Sequence, residues 1–191
     1  MSELVELPLE PLESAAFAPF GQLICAREDP PVFSAPHLRS WRQDFEVAGA
    51  TEVMFIHYKP GPMAFSALER HFDVTQTFVA LGGAASVMVV APPTDPDDWD
   101  QVPEPGQLRA FLVPGSVGVM LWRGTWHALT RLPVGPEGAG FAFITDAATQ
   151  RELERQRADG TLPKLTQEVD YQARDGIRFE VVDPGRLLAE L

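Results

Sequence analysis

The sequence predicts a mainly β domain, a sandwich or small barrel with a few peripheral helices, and three observations carry that expectation. Eighteen prolines and fifteen glycines punctuate 191 residues at short intervals, which suits strands and turns better than long helices. Between the breaks lie short runs rich in β-branched and aromatic residues, at 51–58, 75–81, 85–91, 107–113, 118–122 and 141–144. Their spacing is that of sandwiches and barrels, and no internal repeat competes with it.

The remaining elements follow in chain order. Residues 11–20 read as an early helix that turns Phe17 and Phe20 inward and stops at Gly21. Leu23-Ile24 belongs to an early strand, and Cys25 after it reads as a small buried hydrophobe, with no partner motif to make it a nucleophile. Pro92 to Asp98, rich in proline and acid, is a solvated connection. Residues 147–158 spread Arg and Glu through one helix, with Gly160 just beyond as a stop signal. The tail holds a strand at 177–182 and a short helical end at 186–191.

Composition bounds the function. A 45% hydrophobic, 22% charged chain of this length is one ordinary globular domain, 1–191. A formal net charge of -12 argues against nucleic acid and anionic membranes, which are gripped by many Lys and Arg contacts. A small anionic substrate stays compatible where a metal ion or a few arginines reverse the local field. A single cysteine excludes an internal disulfide, Met1-Ser2-Glu3-Leu4 has no signal-peptide character, and no apolar run approaches the ~20 residues of a membrane span. A cytoplasmic protein is expected.

The most informative stretch is Leu68-Glu69-Arg70-His71-Phe72-Asp73-Val74-Thr75-Gln76-Thr77-Phe78, with a second histidine later in Gly124-Thr125-Trp126-His127. In an extended 68–72, Glu69 and His71 share one face and Arg70 takes the other. Gln76 lies five residues past His71, so a bend at 73–75 is needed to return it to the Glu69 face. His127 would arrive from a later hairpin. Two readings are open. Imidazole and carboxylate donors suit zinc, nickel, manganese or iron, with positions left for substrate. Alternatively, Glu69 pairs with a cation and both histidines are half-buried barrel residues with local hydrogen bonds.

The stretches Leu68-Glu69-Arg70-His71, Thr75-Gln76-Thr77-Phe78, 87–91, Leu108-Arg109-Ala110-Phe111, Gly118-Val119 and Trp126-His127, with Leu7-Pro8-Leu9, Ala16-Phe17 and Phe20-Gly21, resemble the ureidoglycolate lyase family over residues 4–146. The helix and extension at 147–191 lie outside that resemblance. It implies a cupin-type double-stranded β-helix (jelly-roll) barrel and a homodimer. It implies a carbon–nitrogen lyase of the amidine-lyase type, releasing urea and glyoxylate from ureidoglycolate in purine and allantoin breakdown. A divalent metal is implied, nickel by family habit, with zinc or manganese compatible. In cupin terms Glu69, His71 and Gln76 take the first-motif ligand positions and His127 the second. The catalytic set would be Glu69, His71 and His127, with Glu69 as general base when it is not a ligand.

The substrate carboxylate calls for a guanidinium. Arg123, beside the His127 turn, comes first; Arg70 and Arg109 read more readily as outward-facing strand arginines. Gln76 and Trp122 complete the expected substrate contacts. The chain also departs from the family. Met120-Leu121-Trp122-Arg123 stands where Asn-Tyr-His-Arg is usual, and Trp126-His127-Ala128 where Trp-His-His is usual, so two histidines are missing. Thr145-Asp146-Ala147-Ala148 replaces a closing Asp-Arg-Gly segment. Trp122 would reshape one wall of the substrate site. Two alternatives follow: a metal cupin acting on another small carboxylic or keto compound, or a non-catalytic binding cupin. His57 is either barrel-facing or an edge histidine, His37 lies in a loop, Trp126 is expected at the barrel mouth or a dimer contact, and Trp41 and Trp99 read as loop anchors.

Overall fold

Two β-sheets pack as a curled half-barrel in the computed structural model, which describes residues 3–190. The larger sheet orders its strands Thr166–Asp170, Ala67–His71, Trp126–Ala128, Gly83–Ala91, Arg109–Gly115, Glu3–Pro11, Ile177–Val182 and Ala64–Phe65, with Leu132–Pro133 also paired to Gly83–Ala91. The smaller runs Gly21–Ile24, Gly118–Leu121, Thr77–Leu81, Ala139–Asp146 and Thr51–Tyr58. Phe33–Ala35 and Leu38–Ser40 form a separate hairpin with His37 exposed at its turn. This mainly β, barrel-like architecture agrees with the cupin-type expectation. Among the described residues no helix is long and apolar enough to cross a membrane.

Each run expected to be a strand is one, with ends moved by a few residues. The expected helix is Ala147–Asp159, where the Asp146 carboxylate accepts from the Thr149 backbone N–H at 2.8 Å. Gly160, at φ 78°, closes it in the left-handed conformation that glycine adopts without a Cβ penalty. The end at 186–191 is a 3₁₀ turn, Leu187–Glu190, and Leu191 lies outside the described residues.

The early helix is corrected. Residues 3–11 are a strand, Glu3–Pro11, and only Ser14–Phe17 is helical. The strand tolerates Pro8 because it changes partner at that point: residues 3–8 pair with Ile177–Val182 and residues 9–11 with Arg109–Gly115. The N–H that Pro8 lacks falls where one ladder ends and the other begins. Phe17 and Phe20 are buried as expected. Gly21 starts a strand instead of merely stopping a helix: a Cβ there would meet the Met120 carbonyl oxygen at 2.0 Å.

Two apolar clusters divide the interior, and the strand parity of the larger sheet decides which side chain joins which. Met88 and Val90 of Gly83–Ala91 pack against Phe78, Val119, Phe141 and Phe143 of the smaller sheet. Val87, Val89 and Ala91 point the other way, to Leu68, Trp126, Tyr171 and Phe179. Burial on both faces explains why this strand reads as an unbroken apolar run. Each fully buried Val, Leu or Phe adds about 1.5–3 kcal/mol. The same parity places Leu68, Trp126 and Ala128 in the outer cluster, so the alternate residues Glu69, His71 and His127 are directed to the opposite face.

Candidate active site

Glu69 and His127 are direct cross-strand partners in the pairing of Ala67–His71 with Trp126–Ala128, which puts their side chains side by side. His71, two residues on, shares that face. A Glu69 carboxylate oxygen lies 3.8 Å from His71 Nε2 and 4.0 Å from His127 Nδ1, and the imidazole centroids are 5.3 Å apart. Gln76 joins them because the chain leaves the sheet after His71. Val74 forms a bridge with Val47, the Thr75 N–H donates to the Glu46 carbonyl, and the Leu121 N–H to the Gln76 carbonyl. That detour is the bend anticipated at 73–75, and it returns Gln76 to the Glu69 face.

The four residues line one cavity of about 390 Å³ with Tyr58, Phe78, Met88, Arg131 and others. Thr51–Tyr58 supplies Met54, Ile56 and Tyr58 from its inner face, while Val53, Phe55 and His57 face out. One wall comes from the C-terminal extension. Gln150, Leu153 and Arg157 of Ala147–Asp159 stand three and four positions apart, one face of a helix, and close over the cavity.

Burial dominates the electrostatics. It lifts the Glu69 carboxyl to about 8, reinforced by Glu168 across the ladder and opposed by Arg157. Burial drives His71 well below the usual imidazole range, with His127 adding to the shift. It takes His127 to about 4, against a hydrogen bond to the Ala128 carbonyl and helped by the charge of Arg131. Both imidazoles are therefore neutral at pH 7, the state a metal ligand requires. Both rings are held from outside the cavity: His127 Nδ1 lies 3.0 Å from the Ala128 carbonyl oxygen, which can only accept and so puts the proton on Nδ1, and His71 Nδ1 lies 2.8 Å from Thr166 Oγ1, which can accept the same proton. The Nε2 atoms of both rings and Gln76 Oε1 are buried with no hydrogen-bond partner among the described residues. Glu69, His71 and His127 each offer one donor atom, all within 4.8 Å of one another. Orphaned neutral donors so grouped could hold a divalent metal ion.

Several expected contacts lie elsewhere. Arg123 is solvent-exposed and pairs with Glu46 at 3.4 Å. Trp122 donates its Nε1–H to the Ala18 carbonyl, and neither it nor Arg123 lines the cavity, because Gly118–Leu121 ends before them and the chain turns away. Arg70 faces away from the cavity, as expected of it, but is fully buried there and not at the surface. Arg109 forks onto Glu10 at the surface. Trp126 sits fully buried in the core with its N–H on Thr94 Oγ1, away from any mouth or edge. The cavity also recruits residues that no local pattern marked, chiefly Tyr58 and Arg131, and Thr166 supports it from behind. Arg131 follows His127 by four positions, a spacing without strand or helix logic in a loop, so nothing in the sequence singles it out.

Comparison with known proteins agrees with this geometry. The family model described as Ureidoglycolate lyase matches residues 4–162, which takes in the helix Ala147–Asp159 that the sequence resemblance leaves out. A ureidoglycolate lyase of Azotobacter vinelandii is 36% identical over 129 residues, covering 63% of this chain and 74% of its own. One from Pseudomonas aeruginosa strain LESB58 is 35% identical over 129 residues, covering 63% and 73%. One from Rhodobacter capsulatus is 32% identical over 139 residues, covering 69% and 81%. With matched sequence running from residue 4 to 162, through Glu69, His71, Gln76 and His127, the chain belongs to the ureidoglycolate lyase family.

Proposed function

We propose that this protein cleaves ureidoglycolate to glyoxylate and urea in the cavity of Glu69, His71, Gln76 and His127. The observation that carries the reading is the convergence of an acid and two neutral imidazoles with unpartnered Nε2 atoms in a member of this family. The reaction is a carbon–nitrogen elimination. The carbinol O–H loses its proton as the C=O bond forms, the C–N bond breaks, and a proton reaches the departing urea nitrogen. No water is consumed and nothing is oxidised.

His71, His127 and Gln76, with Glu69 beside them, are the donors for a divalent metal, nickel by family resemblance. A bound ion would supply Lewis acidity that makes the carbinol hydroxyl easier to ionise. The chain itself does the rest. Glu69, which burial keeps protonated at pH 7, is assigned to give its proton to the urea nitrogen while its other oxygen takes the proton of the hydroxyl, a role worth about 10²–10⁴ in rate for a positioned group. The apolar walls of Met88, Phe78 and Leu153 exclude water and hold the small substrate against that carboxyl. The homodimer is assigned to the exposed edge strand Thr51–Tyr58, where Val53 and Phe55 are 68% and 66% exposed.

The test is release of urea and glyoxylate from ureidoglycolate by chelator-treated protein reloaded with nickel, manganese or zinc. Metal-dependent release of both products is expected. A protein that binds metal but releases neither product would overturn the reading.

A further inference from the structure

The proposed chemistry leaves one buried charge of the cavity unused. Arg131 is 4% exposed, and its Nε, Nη1 and Nη2 all lack a hydrogen-bond partner among the described residues. The guanidinium lies 4.4 Å from the ring centroid of Phe78, itself a cavity wall, and 5.5 Å from that of Phe141. Stacking on those rings holds the cation by cation–π attraction, but it satisfies none of its N–H donors, which project from the edge of the guanidinium plane. Its charge is felt at Tyr58 and at His127, so it belongs to the polar end of the cavity. An unpaired buried cation is costly to the fold. Rim arginines do not share this condition: Arg123 already pairs with Glu46, and Arg157 is exposed on its helix.

We propose that Arg131 is the carboxylate-binding residue of this cavity. It takes both oxygens of the carboxylate of a small 2-hydroxy or 2-oxo acid in a charge-assisted fork, and so presents the carbon next to that carboxylate to Glu69, His71 and His127. The proposal deepens the reading of the cavity as a ureidoglycolate site and rests on it for the identity of the acid. It makes the guanidinium a positioning group for the carbon that loses urea, and it predicts that the cavity selects carboxylates over uncharged analogues before any chemistry occurs.

The experiment uses the full chain, chelator-treated so that no metal contributes, and titrates glycolate against glycolamide, which differ only in the charged end. The wild type is expected to bind glycolate and to bind glycolamide at least tenfold more weakly. Arg131→Met is expected to lose about 10- to 100-fold in glycolate affinity. Arg131→Lys should retain part of it, and Arg123→Gln all of it. Because the guanidinium has no hydrogen-bond partner to lose and a methionine side chain can pack on the same rings, Arg131→Met should melt at or above the wild-type temperature without ligand. Wild-type glycolate affinity in Arg131→Met, or no preference for glycolate in the wild type, would overturn the proposal. So would a lowered ligand-free melting temperature in both Arg131 variants, which would make the residue a structural stacking group. The lyase reading fails separately. Arg131-dependent glycolate binding without urea release keeps the carboxylate site and removes the substrate. Urea release with unchanged KM in Arg131→Met keeps the substrate and removes the clamp.

Discussion

The two faces of the strand Ala67–His71 carry polar side chains buried to similar depths and treat them in opposite ways. On the outer face Arg70 is 0% exposed and has a partner at every nitrogen: Nε donates to Gln167 Oε1 at 2.8 Å, and its two Nη atoms to the carbonyls of Thr94 and Asp95 at 2.7 and 3.0 Å. The rings of Phe72 and Trp126 lie 4.8 Å from it. On the inner face His71 and His127 keep unpartnered Nε2 atoms, and Arg131 across the cavity has no partner for any of its nitrogens. A folded chain satisfies buried polar groups wherever it can. The closed set around Arg70 ties the loop after Gly83–Ala91 to the sheet, whereas the open set marks where something outside the chain completes the bonding.

Substitutions on the two faces should therefore fail in different measurements. The largest effect is expected on the inner face: Glu69→Gln should cut turnover by about 10²–10⁴ while the variant stays folded, its urea-denaturation midpoint at pH 7 no lower than that of the wild type. If metal content falls with activity, Glu69 is a ligand as well as a proton carrier; if metal stays, it is the proton carrier alone. His71→Ala and His127→Ala should each lose the metal while keeping the β-rich circular dichroism spectrum, and metal retained in either removes that histidine from the ligand set.

On the outer face the pattern reverses. Arg70→Met strands the buried Gln167 oxygen and gives up the part-buried Thr94 and Asp95 carbonyls, and is expected to cost about 1–3 kcal/mol of stability in urea denaturation, with metal content per folded molecule unchanged. A variant as stable as the wild type would erase the distinction between the faces.

The inner face also predicts a pH dependence. Glu69 sits at about 8 in the folded chain against 4.5 unfolded, so the unfolded state releases its proton first and metal-free stability falls as pH rises from 4.5 through 8. His127, at about 4 against 6.5, works in the opposite sense: its contribution is complete above 6.5 and is lost as pH falls toward 4. Between pH 6.5 and 8 the Glu69 arm dominates, at about 1.4 kcal/mol per pH unit at most, and the last of the ionisation of His71 and His127 in the unfolded chain opposes it, leaving a loss of about 1 kcal/mol across the window. Urea denaturation of metal-free protein at the two ends should show that loss, and Glu69→Gln should flatten it. Equal slopes in both proteins would mean that the carboxyl is not held protonated.

How much of this was legible in the sequence follows from the range of each interaction. Strand alternation is a nearest-neighbour property, so the shared face of Glu69 and His71 could be read from Leu68 to Phe72, and the bend that returns Gln76 from a count of residues. His127 stood out as the histidine of a later hairpin, and family resemblance gave it a ligand position. The face of Arg70 was legible but its burial was not, because that depends on Thr94, Asp95 and Gln167, brought to it by folding. Arg123 lay close to His127 in sequence but past the end of its strand, and Arg131 held no local signal. The strand Glu3–Pro11 had no reading in the sequence, since its partners Ile177–Val182 and Arg109–Gly115 lie more than a hundred residues away.

Thr166 is the clearest case of support from afar, and it carries the smallest predicted effect. It pairs with His71 across the ladder, and its hydroxyl lies 2.8 Å from His71 Nδ1, from a position past the end of the family match at 162. For Nε2 to offer its lone pair to a metal, Nδ1 must carry the proton and Thr166 Oγ1 must accept it. Thr166→Val keeps the shape of the strand and removes that acceptor, freeing the ring to take the other tautomer. Metal affinity should fall about tenfold, the low end for an outer hydrogen bond to a ligating histidine, and Thr166→Ser should restore it. Outer-face stability should not move, since Arg70 keeps its bonds. Unchanged affinity in Thr166→Val would mean that packing alone orients His71, and that the inner face depends less on the C-terminal extension than its geometry implies.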